Sequence, residues 1–467
     1  MGEMVLLLLI IPLLGCLFAL LAKKNDLNAF YVCIFTLLCN IFSVLFLLSE
    51  VSAPEAAIFY VFNWLGNAGT SITYGVDILS LLVLLGVYMS VLIGLTGLSA
   101  LQRKNKMSLL LSLYFVWNMT GLIVAKDIIS FYVFFVGLLP PVFMLLGVCG
   151  NLKKISMLNL FFIFNFAGVL SLLAAAVFTY KFYNGNVLLQ NIVLTDMPTR
   201  VGVCVWIGAC LAFLVRIPIW PFHYWISSVS VSVKNPVASI ITNMLPLTGV
   251  WGCMCFWASA VPPSIKETIP LAVVLGLLTI LFIALIGLAH NDFMRKLFSY
   301  STIYYLFFLL AVIVLEDKYR ANVIYSLFTF MIVHASLSVL DLIADRVCEE
   351  EHCSYHGILY YMPRLSRLFA FFVFIAAGLP ISSMFWNNFV IISAMFRYNF
   401  VVGIWCISAI ALIGMALLHE LYTMYDLRGI GINRDEVEDI SDRKQTVFMA
   451  VIVILFLSFF NPLWFVF

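Results

Sequence analysis

The sequence predicts an all-α integral membrane protein of about fourteen transmembrane helices. Three observations predict it. Of 467 residues, 64% are hydrophobic and only 10% charged, with a mean hydropathy of +1.11. Soluble domains carry about 25% charged residues, so this chain holds too little polar surface to cover a water-facing globule. Apolar runs of about 20 residues, the length needed to cross a hydrocarbon core, recur from one end to the other. Between them, basic residues collect in alternate loops.

The predicted spans, in order, are Val5–Ala22, Phe30–Leu48, Val76–Leu98, Ser108–Ala125, Ile128–Val148, Met157–Tyr180, Gly202–Tyr224, Pro236–Ala258, Ile269–Leu288, Leu297–Leu315, Val323–Ile343, Leu368–Met395, Phe400–Leu418 and Val447–Phe465. The loops test that order. Odd-numbered loops collect 17 of the 25 Lys and Arg, from Lys23 and Lys24 through Arg295 and Lys296 to Lys444, and even-numbered loops collect 7. A missed or invented helix would scramble this alternation. The bias puts odd loops on the cytoplasmic or matrix side and both termini opposite. Arg216 is the one basic residue left inside a span.

Proline marks the breaks. Pro218 and Pro221 interrupt the seventh span and Pro380 the twelfth. A mid-helix proline removes a backbone donor, and in a bilayer the freed carbonyls need partners inside protein or a wet cavity. Breaks five helices apart, in matching positions of two halves, predict two inverted five-helix repeats of transporter design. The organisation is then 1–106, an N-terminal three-helix segment; 107–260, a first repeat of helices 4–8; 261–425, a second repeat of helices 9–13; and 426–467, a loop and helix 14. Pro140, Pro141 and Pro246 kink their helices.

The polar residues within the spans are the candidate site. Arg216 costs about 3 kcal/mol at the centre of a helix; it either snorkels to a surface or faces a hydrated path. Arginine stays protonated, so it supplies a field rather than a proton. His223 lies two turns on, a spacing that predicts a shared helical face, and histidine can pass a proton near neutrality. His334 sits mid-helix with Asp341 seven residues beyond it; a relay and a structural hydrogen bond both fit. His290 and His419 lie near helix ends and read as interfacial. "CEEEHCSYH" gathers Cys348, His352, Cys353 and His356, but its spacing matches no familiar zinc site and it reads as a solvated acidic loop.

Much is excluded. A net charge of +2 gives no electrostatic footprint for nucleic acid. No basic segment precedes Val5–Leu14, so no cleavable leader is expected. The eleven cysteines lie mostly singly in apolar runs and read as small core hydrophobes; none forms a CxxC pair for a disulfide frame or cluster. There is no GxSxG, HExxH, P-loop or Rossmann fingerprint, and too few deep histidines for a haem core, so redox chemistry would belong to other chains. The 42 phenylalanines, with abundant Leu, Val and Cys, are what uracil-rich codons encode, a bias that points to an organelle genome.

Five segments carry a family resemblance. "YGVDILSL" (Tyr74–Leu81) is similar to a GVD-x-x-SL opening of a third helix. "KDIISFYVFFVGLLPPVFMLLGVCG" (Lys126–Gly150), "AFLVRIPIWPFHYW" (Ala212–Trp225), "RKLFSYSTIYYL" (Arg295–Leu306) and "MIVHASLS" (Met331–Ser338) resemble a fifth, a broken seventh, a tenth and an eleventh helix. Together they resemble the antiporter-like subunits of mitochondrial NADH:ubiquinone oxidoreductase, respiratory complex I, which are related to subunits of multi-subunit cation/proton antiporters. The similarity runs from about Tyr74 to Tyr422.

The resemblance implies a membrane-arm subunit in the mitochondrial inner membrane, with both termini on the intermembrane-space side. Its partners would be other membrane-arm subunits and lipids such as cardiolipin, with no nucleic acid. NADH, FMN, iron–sulfur clusters and ubiquinone would be elsewhere in the complex, with no cofactor or metal on this chain. It also implies a central polar axis for proton translocation, with His223 and His334 at family histidines and Arg216 at a family lysine. The departures weaken that axis. Val136 stands at the family's fifth-helix glutamate, Leu247 or Thr248 at its eighth-helix lysine, Asn388 at its twelfth-helix glutamate and Tyr305 at a tenth-helix histidine. Asp127, nine residues or about 13 Å before Val136, cannot supply the missing carboxylate at that depth. Two mechanisms stay open: water-mediated conduction past Arg216, His223, His334 and Asp341, or a scaffold whose own channel is impaired or lost. A free-standing cation/proton antiporter is the alternative function, and a haem or copper oxidase subunit a more distant one.

Overall fold

The computed structural model describes residues 2–23, 27–51, 58–63, 71–149, 155–185, 187–192, 194–223, 225, 233–257, 269–350, 357–426 and 439–459. Helices dominate them. α1 (Gly2–Leu21) and α2 (Asn28–Glu50) pack together at the N-terminal edge. A two-stranded antiparallel hairpin follows, β1 (Ile58–Asn63) paired with β2 (Ser71–Val76) from Ile58–Val76 to Asn63–Ser71. The sequence reading did not anticipate it and began the third span at Val76, which is instead the last residue of β2. Phe-Tyr-Val-Phe and Ile-Thr-Tyr are aromatic and β-branched residues that favour strands, and a search for 20-residue apolar runs passes over them.

The third span is α3 (Ile78–Thr96). It starts at Asp77, whose N–H donates to Ser80 Oγ at 2.8 Å, half of a capping box. A short turn, α4 (Ala100–Arg103), leads to α5 (Lys106–Val124). Lys106 Nζ donates to Leu20 O at 2.6 Å and Ala22 O at 2.7 Å, tying an odd-loop lysine to the carbonyls that α1 leaves open at its C-terminus. The fifth span is two pieces, α6 (Ile128–Gly137) and α7 (Leu139–Cys149). Pro140 and Pro141 cannot donate to the carbonyls of Val136 and Gly137, so the ladder breaks there.

α8 (Ile155–Tyr183) packs along α9 (Thr199–Arg216). Small residues set the closeness: a Cβ on Gly208 would lie 2.7 Å from Ser171 O and 3.2 Å from Ala175 Cβ, and one on Gly168 would lie 3.4 Å from Ala212 O. Backbones approach this way in membranes because small side chains permit it. α10 (Pro236–Trp257) is the most enclosed span, with its apolar window 100% buried. It carries Ser239, Thr242, Asn243 and Thr248, all buried, so its polar groups face protein rather than lipid.

The second half is also helical. α11 (Ile269–Ala289), α12 (Phe293–Val314) and α13 (Arg320–Glu350) are followed by a short α14 (Ile358–Tyr361), then α15 (Pro363–Ala376), α16 (Ser383–Tyr398), α17 (Phe400–Tyr425) and α18 (Asp442–Phe459). The twelfth span is broken, as Pro380 implied. α15 ends in a Schellman turn: Gly378, at φ +94°, donates to Ile375 O, and Leu379 N–H donates to Phe374 O. Glycine takes that left-handed position without a Cβ penalty.

Among the described residues, twelve helical spans are long and apolar enough to cross a membrane. Two expected spans are not among the twelve, for physical reasons. α15 and α16 are 14 and 16 residues long, each too short alone. α18 carries Asp442, Arg443 and Lys444 in its first turn.

Candidate functional site

Arg216 is the last residue of α9 and is 1% exposed, so it does not snorkel. Its Nη2 donates to Phe135 O at 3.0 Å, and the guanidinium carbon lies 4.5 Å from the centre of the Phe135 ring. Phe135 immediately precedes Val136, at the kink between α6 and α7. The cation therefore docks on the broken fifth span, beside the position where the resemblance implies a carboxylate. Its Nε and Nη1 have no hydrogen-bond partner among the described residues, and no ion pair among them involves Arg216.

The break beyond Arg216 is closed by protein groups. Ile217 N–H reaches back to Phe213 O at 2.8 Å. Trp225 Nε1 donates to Val215 O at 3.1 Å, and Trp220 N–H donates to Thr279 Oγ1 on α11 at 3.1 Å. Open backbone is tolerated at this depth only when so met. The helix ends at Arg216, so the shared face expected for Arg216 and His223 does not exist. His223 lies in the turn after the break, half-buried, edge-on to Phe282 of α11 at 5.5 Å. Its Nδ1 has no partner among the described residues.

In the second half one group of neutral side chains is joined by hydrogen bonds. Asn388 on α16 accepts from Ser326 Oγ of α13 and donates to Tyr304 OH of α12 at 3.4 Å. Asn322 donates to Asn387 Oδ1 at 3.0 Å, and Ser301 donates to Asn243 Oδ1 of α10 at 3.3 Å. His334, 5% exposed on α13, lies against Phe330 at 5.9 Å, and its Nε2 has no partner among the described residues. Phe330 stacks on Tyr304 at 5.2 Å and meets Tyr305 edge-on. Asp341 is buried on the same helix. Leu247 and Thr248 are buried on α10, where Thr248 Oγ1 donates to Leu245 O. Thr248, Tyr305 and Asn388 are thus buried and Val136 partly buried, and none of the four brings charge.

One pair escaped the sequence reading. Lys296, assigned there to an odd loop, is the fourth residue of α12 and is 2% exposed. Its Nζ lies 2.5 Å from Glu420 Oε2 on α17, whose residue exposure is 4%. Arg216 is therefore not the only buried cation. The sequence signal was the edge itself: a lysine at the fourth helical position lies inside the first turn, not outside it. His352, Cys353 and His356 lie outside the described residues; Cys348 is buried at the end of α13.

On the even-loop face a cleft of about 170 Å³ opens between Asp77, Lys126, Gln190, Trp251, Cys255 and Arg320. Lys126 Nζ is 3.4 Å from Asp77 Oδ1. Burial opposes ionisation of Asp77, but Lys126 and Ser80 outweigh it and hold its carboxyl below the usual range. Next to it Asp127 is a cap, accepting from Thr73 N–H, Ser130 N–H and Ser130 Oγ. It serves the hairpin and α6, not Arg216.

Broken spans with charged and polar groups held at their ends inside protein are an arrangement found in membrane transporter folds. The chain belongs to the NADH:quinone oxidoreductase/Mrp antiporter transmembrane family, which matches residues 125–414. It is 26% identical to NADH-quinone oxidoreductase subunit M of Rickettsia conorii, over 88% of this chain and 86% of that one. It is 25% identical to NADH-ubiquinone oxidoreductase chain 4 of Marchantia polymorpha, over 88% and 83%. The fold is shared with a chain of respiratory complex I from Thermus thermophilus, at TM-score 0.84 and 20% identity over 97% and 96% of the two chains. It is also shared with a chain of the Mrp complex from Dietzia sp. DQ12-45-1b, at TM-score 0.79 and 14% identity over 97% and 49%.

Proposed function

We propose that this chain is the chain 4 type of antiporter-like subunit in the membrane arm of a mitochondrial NADH:ubiquinone oxidoreductase, an enzyme that couples NADH oxidation by quinone to proton translocation. The carrying observation is Arg216, held at the end of a broken span on the kinked fifth span, within the stretch that matches the family. The curated relatives named above are oxidoreductase subunits aligned over 88% of this chain, which favours this reading over a free-standing cation/proton antiporter.

In this reading about fourteen helices cross the inner membrane, with the broken α15–α16 pair and α18 completing the count. They form two inverted five-helix repeats, and both termini face the intermembrane space. The basic odd loops support that orientation. The chain carries no redox cofactor; NADH, FMN, iron–sulfur clusters and ubiquinone belong to other subunits. Its neighbours are other membrane-arm subunits and anionic lipid such as cardiolipin.

Arg216 acts as a fixed positive field. It holds its proton, and Val136 offers no carboxylate to exchange with. Among the residues the resemblance points to, His223, His334 and Asp341 are able to handle protons. Proton exchange through the first half is therefore impaired relative to a lysine–glutamate design.

Purification through a tag on this chain tests the assignment. NADH-oxidising peripheral subunits and other membrane-arm chains are expected to co-purify with NADH:quinone activity. Recovery of a solitary chain that exchanges cations for protons in liposomes would overturn it.

A further inference from the structure

We propose that Lys296 and Glu420 form a proton-exchanging pair at the odd-loop end of the second half. This rests on the reading of the chain as a subunit of a proton-translocating NADH:quinone oxidoreductase. Among the described residues, Lys296–Glu420 is the only ion pair in which both side chains are at most 5% exposed. It joins α12 to α17 in a single contact of 2.5 Å.

Stability alone gives a weak reason for such a pair. Desolvation of two ions roughly cancels their attraction, and well-packed apolar residues do as well or better. The helix ends also oppose it. Lys296 lies in the opening turns of α12, near the positive end of that helix, and Glu420 lies toward the negative end of α17. Neither charge is favoured by its own helix dipole, which acts weakly beyond the terminal turn, and each is held by its partner.

The pair also has a continuation. Lys296, Tyr300 and Tyr304 recur every four residues and line one face of α12. Tyr300 and Tyr304 are buried, with ring centres 4.7 Å apart, and Tyr300 OH donates to Met384 Sδ at 3.9 Å. Tyr304 OH accepts from Asn388, which accepts from Ser326. From Lys296 to Tyr304 this covers about 12 Å of helix axis, inward from the basic-loop face. A lysine can release a proton where Arg216 cannot.

In the exchange, an N–H bond of the Lys296 ammonium breaks and an O–H bond forms on Glu420. The charged pair becomes a neutral amine and a neutral acid. The amine is recharged by a proton from water at the odd-loop face, and the acid loses its proton to water on the inner side of the pair. One proton has then moved inward, and the pair is restored.

The assembled complex carrying chain variants tests this. Lys296→Arg keeps the cation and the ion pair but removes the releasable proton. It is expected to assemble at the wild-type level and to lower coupled proton translocation at least about tenfold, a small part of what proton-transfer groups contribute. A structural pair would not respond to this exchange, so assembly with unchanged translocation overturns the proposal. If Lys296→Arg fails to assemble, the neutral double variant Lys296→Met with Glu420→Met decides. Assembly without translocation supports the pair as a proton carrier; wild-type translocation, or failure to assemble, makes it structural. If the wild-type chain does not co-purify with NADH-oxidising subunits, the functional reading fails instead.

Discussion

Arg216→Met removes a buried charge while keeping much of the side-chain volume. A cation at the centre of a span costs about 3 kcal/mol. Against that, the Phe135 carbonyl contributes about 1.5–3 kcal/mol as a hydrogen bond to a charged group, and the Phe135 ring about 2 kcal/mol as a desolvated cation–π contact. The sum lies within about 2 kcal/mol of zero. Arg216→Met is therefore expected to leave the abundance and thermal midpoint of the assembled complex close to wild type, measured by native gel and by heating the purified complex. Coupled proton translocation is expected to fall in the same preparation, and Arg216→Lys to retain more of it than Arg216→Met. A buried cation paired with a carboxylate behaves differently, since removing one partner costs about 3–5 kcal/mol. Loss of the complex on that scale would refute the reasoning, because it would mean that a carboxylate outside the described residues balances Arg216.

Three further outcomes are expected. Gly208→Leu drives a side chain into Ser171 O, 2.7 Å from where its Cβ would stand, and is expected to separate α8 from α9 and lower chain abundance; Gly147→Ala, with nothing within 4 Å of its Cβ, serves as the silent control. Asp127→Ala is expected to cost about 1–2 kcal/mol as a lost helix cap, read as a lower thermal midpoint, with Asp127→Asn intermediate. Asp77 has a folded carboxyl value below its ordinary 3.8, so its contribution is full above that value and is lost as pH falls through the lower folded one. Asp77→Asn is therefore expected to be less stable than wild type at pH 7 by up to about 1 kcal/mol, the scale of a partly exposed pair, and equal to it below the folded value.

The spans were legible because a bilayer imposes a length and a hydropathy on each of them, and both can be counted along the chain. The helix breaks were legible for a similar reason: proline cannot donate, wherever it falls. What the sequence hid are pairings between distant residues. Phe135 and Arg216 are 81 positions apart, and Lys296 and Glu420 are 124 apart. Nothing local at Arg216 names its acceptor, which is a backbone carbonyl that any residue would present. Lys296 was misplaced by one turn, and that turn separates a loop cation from a buried one. The His223 error was of another kind. A seven-residue spacing keeps one face only while the helix lasts, and the prolines that predicted the break also removed that face.

The polar groups of the two halves are arranged differently, and this bears on mechanism. In the first half Arg216 rests on the Phe135 ring and carbonyl, with Val136 where the resemblance implies a glutamate. In the second half Asn388, which stands where the resemblance implies a glutamate, is bonded with Ser326 and Tyr304. Asn388 accepts the serine hydrogen bond, so α13 and α16 are joined there without a charge. A site released from all function would be expected to turn apolar, since a neutral buried network adds little net stability over well-packed hydrophobes. The neutral group around Asn388 and the buried Lys296–Glu420 pair both lie in the second half, so under the proposal above proton chemistry in this chain would run on α12, α13, α16 and α17 rather than around Arg216.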